Sequence, residues 1–278
     1  MLEYNNCDCF EYFNKLEDNS IDLVLSDIPY GISFNATNHM SNDDWDKFSN
    51  EEYLKFLDKF FRETWRVAKD NTALIIFVAP TKVPDIISNT YKWNFRPEYY
   101  YHYCRAKGRG AKNKLKSLRE DILVFSKGTF DIDMFECDDL IKDYRKQKQN
   151  PIGYALDYVT GSRVPQYSVL DKSFMITPPT YHSVAEKQIH SCQKPVLLFT
   201  ELIMMASKEG DIVFDPFMGS GASGIAAYLC DRNYIGVELE KDMFEKAQDW
   251  KNKILDPLSR ESITLRSYIK KDFKFGRF

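Results

Sequence analysis

A chain of 278 residues is long enough to bury one sizeable core and carry a smaller appended region, and its composition is ordinary for a globular enzyme apart from a high aromatic share of 15%. The net charge of −3 argues neither for nor against a polyanionic partner, so the placement of charge matters more than its total. The 6 cysteines form no disulfide or zinc framework, no apolar run approaches a membrane span, and no secretory pattern opens the chain, so the expectation is a cytoplasmic protein with free thiols and no metal.

The apolar run Ile21 to Leu25 reads as a buried strand, and Asp27-Ile28-Pro29-Tyr30 follows it. An acid, a proline and an aromatic at a strand's carboxyl end present a hydrogen-bond acceptor, a stiff turn lacking a donor, and a flat face for stacking. A planar base carrying an amino group fits such a site. The same residues also suit a plain strand-to-loop turn. Trp45 and Asp46 lie on the loop that follows. Ser49 to Glu52 is a capping box that opens a helix with Leu54, Leu57, Phe61, Trp65 and Ala68 at helical spacing. Ala73 to Val78 and Asp121 to Phe125 read as buried strands, and Tyr99 to Tyr103 as an aromatic-rich one.

Between them lies a basic run without an acid: Arg105, Lys107, Arg109, Lys112, Lys114, Lys116 and Arg119. Such a run can track phosphates or form a solvated loop. Residues 130 to 189 break the strand–helix rhythm with prolines, glycines and interleaved Tyr, Arg and Gln, and read as a small separate recognition region. Pro195 starts a helix from Val196 to Ser207. Asp211 to Asp215 is a further strand, followed by Pro216-Phe217-Met218-Gly219-Ser220-Gly221 and a helix from Ala222 to Cys230. Glycines there let the backbone turn tightly and approach a ligand. The last strand, Tyr234 to Val237, ends in Glu238, an acid placed to bind ribose hydroxyls. The order of strand, glycine loop, helix, strand and acid points to a nucleoside-containing cofactor. The loop has neither the full dinucleotide spacing nor a phosphate-loop lysine, which disfavours phosphate-bearing ones. Asp242 to Ile254 is an amphipathic helix, and the tail from Pro257 onward carries no motif.

Taken together, these segments resemble the beta group of amino-methylating DNA methyltransferases. Asp27-Ile28-Pro29-Tyr30 stands for that family's Asp-Pro-Pro-Tyr, and Asp215 to Gly221 matches its Asp-Pro-Phe-x-Gly-Ser-Gly. His190-Ser191-Cys192-Gln193-Lys194-Pro195 is similar to its His-x-x-Gln-Lys-Pro, and Asn6-Cys7-Asp8-Cys9 to its opening motif. The resemblance covers roughly residues 5 to 127 and 188 to 250. It implies an α/β, Rossmann-like fold for S-adenosylmethionine, with a mostly parallel sheet and helices on both faces. Residues 1–129 and 190–256 would be the catalytic and cofactor halves of one domain, 130–189 a target-recognition insert, and 257–278 a tail.

By the same resemblance, Asp27 and the carbonyl of Ile28 accept from the amino group of a flipped base, with Pro29 shaping the turn and Tyr30 stacking. Asp215, Pro216, Phe217, Gly219, Ser220 and Gly221 hold the methionine end of the cofactor, Lys194 its carboxylate, Glu238 the ribose, and Asp8 with Cys9 the adenine. The expected reaction is site-specific N6 methylation of adenine in double-stranded DNA, because the motif begins with Asp. Cytosine N4 methylation through a Ser26-centred register, and a catalytically silent DNA-binding relative, are the alternatives. The resemblance leaves room for a cognate restriction endonuclease and for a homodimer, and implies no membrane partner.

Overall fold

A computed structural model of the chain describes residues 1–32, 46–109, 117–129, 154–156, 163–165, 189, 193–263 and 265–266. The strands are β1 (Leu2–Asn6), β2 (Ile21–Asp27), β3 (Ala68–Val78), β4 (Arg96–Arg109), β5 (Ser117–Lys127), β6 (Tyr154–Leu156), β7 (Arg163–Pro165), β8 (Ile212–Asp215) and β9 (Asn233–Glu238). The helices are α1 (Cys9–Phe13), α2 (Asn50–Val67), α3 (Val83–Lys92), α4 (Val196–Ala206), α5 (Ala222–Leu229) and α6 (Lys241–Leu255).

Seven strands form one sheet in the order β1-β9-β8-β2-β3-β5-β4. Neighbours from β1 across to β3 run parallel, while β5 lies antiparallel to both β3 and β4. β6 and β7, inside the expected recognition insert, pair antiparallel with each other. The rest of 130–188 lies outside the described residues.

Side chains alternate across a strand, and here both faces are apolar. Leu23, Leu25, Ile75, Phe77 and Val213 face a core completed by Leu198, Leu202, Ile225, Ala226, Trp250 and Ile254 from α4, α5 and α6. Val24, Leu74, Ile76, Val78 and Phe214 face the opposite core, completed by Phe13, Leu57, Phe60, Phe61 and Ile86 from α1, α2 and α3. The result is a sheet covered by helices on both sides, which explains why its central strands read as unbroken apolar runs.

α2 starts as its sequence dictates. Ser49 Oγ accepts from the Glu52 backbone N–H at 3.2 Å, and Glu52 accepts from the Ser49 N–H at 2.8 Å. Its buried stripe is Tyr53, Leu57, Phe60, Phe61, Thr64 and Val67. The expected stripe holds at Leu57 and Phe61 and departs elsewhere: Leu54 is exposed, Trp65 is partly buried, and Ala68 already begins β3. Aromatic residues at the helix surface gave two competing spacings, and the sheet selected the one led by Tyr53.

The chain runs β2–α2–β3 to one side of the sheet and β8–α5–β9 to the other. β2 and β8 are neighbours, with Leu23 opposite Val213 and Val24 opposite Phe214. Their carboxyl ends therefore flank the switch point of the sheet, where an open α/β fold leaves a crevice for ligands.

Candidate active site

Asp27 is the last residue of β2 and sits at that crevice. Two groups hold it, and a second acid shares them. The Tyr30 hydroxyl donates to Asp27 Oδ1 at 2.7 Å, and Lys194 Nζ donates to Oδ2 at 2.5 Å. Glu120, from β5, lies on the far side of the same ammonium, with Oε2 3.1 Å from Lys194 Nζ and 3.4 Å from the Tyr30 hydroxyl. Lys194 is only 3% exposed, and its ammonium also lies 5.2 Å from the Phe77 ring centre and 5.7 Å from that of Tyr30. A buried ammonium is tolerable only when compensated, and here two carboxylates compensate it. Lys194 thus stands beside the acid of the catalytic motif, and Glu120 joins it there without a motif to announce it. Its one signal was position: it is the first acid after the basic run, directly before the strand at Asp121.

The turn after Asp27 is fixed from below. Ile28 and Pro29 are buried, and the Tyr53 hydroxyl donates to the Pro29 carbonyl at 3.2 Å. Gly31 adopts φ +61°, and a Cβ there would lie 2.5 Å from the Tyr53 ring. Only glycine meets both demands. Buried Asp46 accepts from the backbone N–H groups of Gly31 at 2.6 Å and Ile32 at 3.2 Å. Asp46 therefore staples the loop that carries Tyr30. Trp45 lies outside the described residues.

On the neighbouring strand Asp215 is fully buried, and its carboxylate is spent internally. It accepts from Ser26 Oγ at 2.6 Å, Ser223 Oγ at 2.6 Å and the Phe217 N–H at 3.1 Å. Burial pushes its carboxyl up to about 6, the two serine hydrogen bonds oppose that rise, and the charge of Asp27 adds to it. Ser223 also bonds the Tyr234 hydroxyl at 2.8 Å, and the Tyr4 hydroxyl donates to the Gly221 carbonyl at 2.9 Å. The 216–221 loop is thereby anchored to β1, β2 and β9. What it turns to the crevice is backbone. Gly219 has φ +51° with open space where a Cβ would stand, so a ligand can lie against that peptide. Partly buried Phe217 packs on Phe56 and Phe60 of α2.

Glu238 ends β9 and accepts from the backbone N–H groups of Glu240 at 2.8 Å and Gly219. Burial first, then the neighbouring acids Glu240 and Asp215, push its carboxyl up to about 7. Asp8 lies just past β1, which pairs with β9. It caps α1, accepting from Phe10 N at 2.8 Å and Glu11 N at 3.3 Å. Cys9 is buried beneath it. Burial pushes its thiol well up, so the thiolate is disfavoured.

The cofactor-side residues thus gather along one sheet edge, and the donor set is informative. Two acids, Asp215 and Glu238, accept from the backbone of the glycine loop. Phosphates would be repelled there, while ribose hydroxyls and a cationic head would be welcomed. These residues fit S-adenosylmethionine, whose sulfonium supplies an electrophilic methyl group. The expected role of Lys194 at a cofactor carboxylate has a competitor in this geometry, because its ammonium is engaged by Asp27 and Glu120. The backbone of Arg105, Lys107 and Arg109 lies on β4, whereas Lys112, Lys114, Lys116 and His190 lie outside the described residues. Among the described residues no cluster of His, Cys, Asp or Glu suits a metal ion, and no helix is long and apolar enough to cross a membrane.

A family model described as DNA methylase, for N6 and N4 methyltransferases, matches residues 21–249. The chain belongs to that family. It is an S-adenosylmethionine-dependent DNA methyltransferase with the Rossmann-like fold that its motifs implied. It is 28% identical over 248 residues to the type II methyltransferase M.HpaI of Haemophilus parainfluenzae, covering 84% of this chain and 69% of that one. It is 26% identical over 253 residues to M.HinfI of Haemophilus influenzae, covering 87% and 66%. Among solved structures, the M1.HpyAVI–SAM complex superposes with a TM-score of 0.57 at 19% identity, covering 90% of this chain and all (100%) of the other. The cytosine-N4-specific PvuII DNA methyltransferase superposes with a TM-score of 0.61 at 15% identity, covering 96% and 93%. These two likenesses show the fold.

Proposed function

We propose that this methyltransferase modifies the N6 amino group of adenine at a fixed DNA sequence, with Asp27 and the Ile28 carbonyl as the acceptors that orient the amino group. The exocyclic nitrogen of a base is a poor nucleophile because its lone pair is delocalised into the ring. Two acceptors draw its hydrogens into a set geometry and leave the lone pair directed at the methyl group. The work is positioning and charge placement, for which no metal is needed. A base inside the duplex cannot reach the end of β2, so the target must be flipped out, and Tyr30 offers its ring as the stacking face.

One observation carries the choice of Asp27 over the shifted, Ser26-centred register of a cytosine enzyme. The Ser26 side chain is fully buried and spends its hydroxyl on Asp215 at 2.6 Å. Asp27 meets Tyr30 and Lys194. Cytosine N4 methylation stays the second reading, since the neighbouring fold of the PvuII enzyme is cytosine-N4-specific.

On the cofactor side, the Gly219-Ser220-Gly221 backbone and Phe217 would cradle the methionine end, Glu238 would accept from the ribose, and Asp8 with Cys9 would border the adenine. Asp215 serves by holding that loop in place. Lys194 belongs to the base pocket in this assignment. The basic run from Arg105 to Lys116 would follow phosphates, and residues 130–189 would read flanking bases with their Arg, Gln, Asn and Tyr side chains.

The test is to incubate purified enzyme with mixed genomic DNA and S-adenosylmethionine, hydrolyse to nucleosides, and identify the product by mass spectrometry. N6-methyladenine is expected. N4-methylcytosine alone would overturn the adenine assignment. Long-read sequencing of the same sample should place every methylated base in one short shared context; scattered methylation would remove the recognition role of 130–189.

A further inference from the structure

The capping box of Ser49 and Glu52 fixes where α2 begins, and Tyr53 closes its first turn, with its N–H donating to the Ser49 carbonyl at 3.0 Å. The Tyr53 side chain is wholly buried and packed on several sides. Its ring stacks on Phe56 at 6.0 Å, meets Phe48 edge-on at 5.7 Å, and carries the Lys82 ammonium 4.6 Å from its centre. Burial first, then the charges of Asp46 and Asp85, push its hydroxyl well up, so the phenol stays a donor. It donates to the Pro29 carbonyl at 3.2 Å. That carbonyl belongs to the peptide joining Pro29 to Tyr30. On the other side of Tyr30, the Gly31 N–H belongs to the next peptide and donates to Asp46 at 2.6 Å. A residue has only two soft backbone dihedrals between its flanking peptide planes, so a hold on each plane fixes the direction in which its side chain leaves the chain. The Tyr53 ring also lies under Gly31, where a Cβ would come within 2.5 Å of it. One side chain of α2 thus touches the catalytic turn at residues 29 and 31 and leaves Tyr30 between them, its hydroxyl on Asp27 Oδ1 at 2.7 Å.

We propose that Tyr53 is a positioning residue for Tyr30: by holding the Pro29 carbonyl it sets the plane of the ring on which the flipped base stacks. The proposal rests on the reading of Tyr30 as that stacking face. Tyr53 is buried beneath the turn and acts only through it. Without its hydrogen bond the Pro29–Tyr30 peptide is free to rock, and the Tyr30 ring tilts with it. A base lying on a tilted face carries its amino group off the line to the methyl donor, and small misplacements of this kind are costly in rate. The packing of Tyr53 on Phe56 and Phe48 does not depend on the hydroxyl, so the fold of α2 and the hold of the turn can be separated by deleting one oxygen atom.

The experiment compares Tyr53→Phe, Tyr30→Ala and the Tyr53→Phe/Tyr30→Ala double variant with the parent enzyme. Transfer from labelled S-adenosylmethionine gives kcat/KM for duplex DNA at saturating cofactor, calorimetry gives cofactor Kd, and thermal melting gives stability. Tyr53→Phe should lower kcat/KM by roughly five- to tenfold, the loss that one hydrogen bond usually brings. Cofactor Kd should stay within about twofold, and the melting point should fall by no more than about 2–4 °C. Tyr30→Ala should lower kcat/KM further. In the Tyr30→Ala background, Tyr53→Phe should cost less than about twofold, because the ring that it aims is gone. For Tyr53→Phe, a kcat/KM within twofold of the parent would overturn the proposal, and so would the same loss in the absence of the Tyr30 ring. A fall in cofactor affinity and melting point in step with the rate would also overturn it, since that pattern marks a general loosening of α2. If Tyr30→Ala alone transfers methyl groups at the parent rate, the stacking role of Tyr30 fails first and takes the proposal with it.

Discussion

Asp27→Asn isolates the charge of the proposed acceptor while keeping its shape. Asp27 receives the Tyr30 hydroxyl at 2.7 Å and the Lys194 ammonium at 2.5 Å, so the neutral amide loses a charge-assisted bond on each oxygen's side. Orphaning a buried charge of this kind usually costs about 3–5 kcal/mol. Here Lys194 keeps Glu120 at 3.1 Å, so the expected loss of stability is smaller, about 1–2 kcal/mol. Catalysis should suffer more. Removing one preorganised electrostatic contact to a developing charge costs about 3–4 kcal/mol, or roughly 10²–10³ in kcat. The 216–221 loop is anchored by Asp215, Tyr4 and Tyr234 and not by Asp27, so cofactor affinity should stay within about twofold. Tritium transfer from labelled S-adenosylmethionine gives kcat, calorimetry gives affinity, and thermal melting gives stability. Transfer above about a tenth of the parent rate, or cofactor binding lost along with transfer, would refute the assignment of Asp27 to the base pocket.

Glu238 is raised to about 7 by burial, yet ribose hydroxyls need its ionised form as acceptor. Cofactor affinity should therefore climb as pH rises toward about 7 and level off above it, with a proton released on binding; Glu238→Gln should weaken binding and flatten that rise, as calorimetry in buffers of different ionisation heat can read. The same shift has the opposite sign for stability of the free protein: an acid raised in the fold contributes stability that is present at low pH and lost as pH rises from the unfolded value near 4.5 to about 7. Gly221→Ala should cost about 1–3 kcal/mol, because φ is +78° and the new Cβ would lie 2.8 Å from the Tyr4 ring; melting measures it, and an unchanged midpoint would contradict the strained cap. Neutralising Lys112, Lys114 and Lys116 together should lower DNA affinity and flatten its salt dependence by about one unit of log–log slope per lost contact, leaving the methylated sequence unchanged; an unaltered slope would place the run away from the phosphates.

The central strands were legible because both faces of the sheet are covered, so β2, β3, β8 and β9 carry apolar runs, and β2, β8 and β9 each end in an acid. The covering helices were harder. α1 has only the span Cys9–Phe13 and no room for a periodic signal, and α3 starts at a proline-containing turn without a side-chain cap. The stripe of α2 is legible at Leu57 and Phe61 and misread at Leu54 and Trp65, which are apolar without being fully buried. At the site, the residues on strand ends announced themselves by their place after an apolar run. The groups around them were only partly readable. Lys194 is marked as a site residue by its motif but expected at the cofactor's carboxylate, whereas Glu120 carries no motif, and their meeting beside Asp27 is a product of strand order. The staple from Asp46 to Gly31 was equally unreadable, since a buried acid accepting backbone N–H groups has no periodic signature.

The two halves of the site are joined through consecutive residues of a single strand. In β2 the side chains alternate, so Ser26 and Asp27 point to opposite faces. Ser26 bonds Asp215 at 2.6 Å and so belongs to the bracing of the cofactor loop. Asp27 bonds Tyr30 and Lys194 and so belongs to the base pocket. A methyl group must pass between a ligand held by one half and a ligand held by the other, and sub-ångström error in their spacing costs rate steeply. Here that spacing is set by one peptide unit and by the parallel pairing of β2 with β8 at the centre of the sheet. The chain can therefore place its catalytic motif before its cofactor motif, with a long insert between them, without loosening the site. Connectivity around the sheet is free to vary, while the register between these two strands is not. A shift of β2 by one residue would carry Asp27 away from Tyr30 and Lys194 and Ser26 away from Asp215 in the same movement, so both halves of the site would fail together.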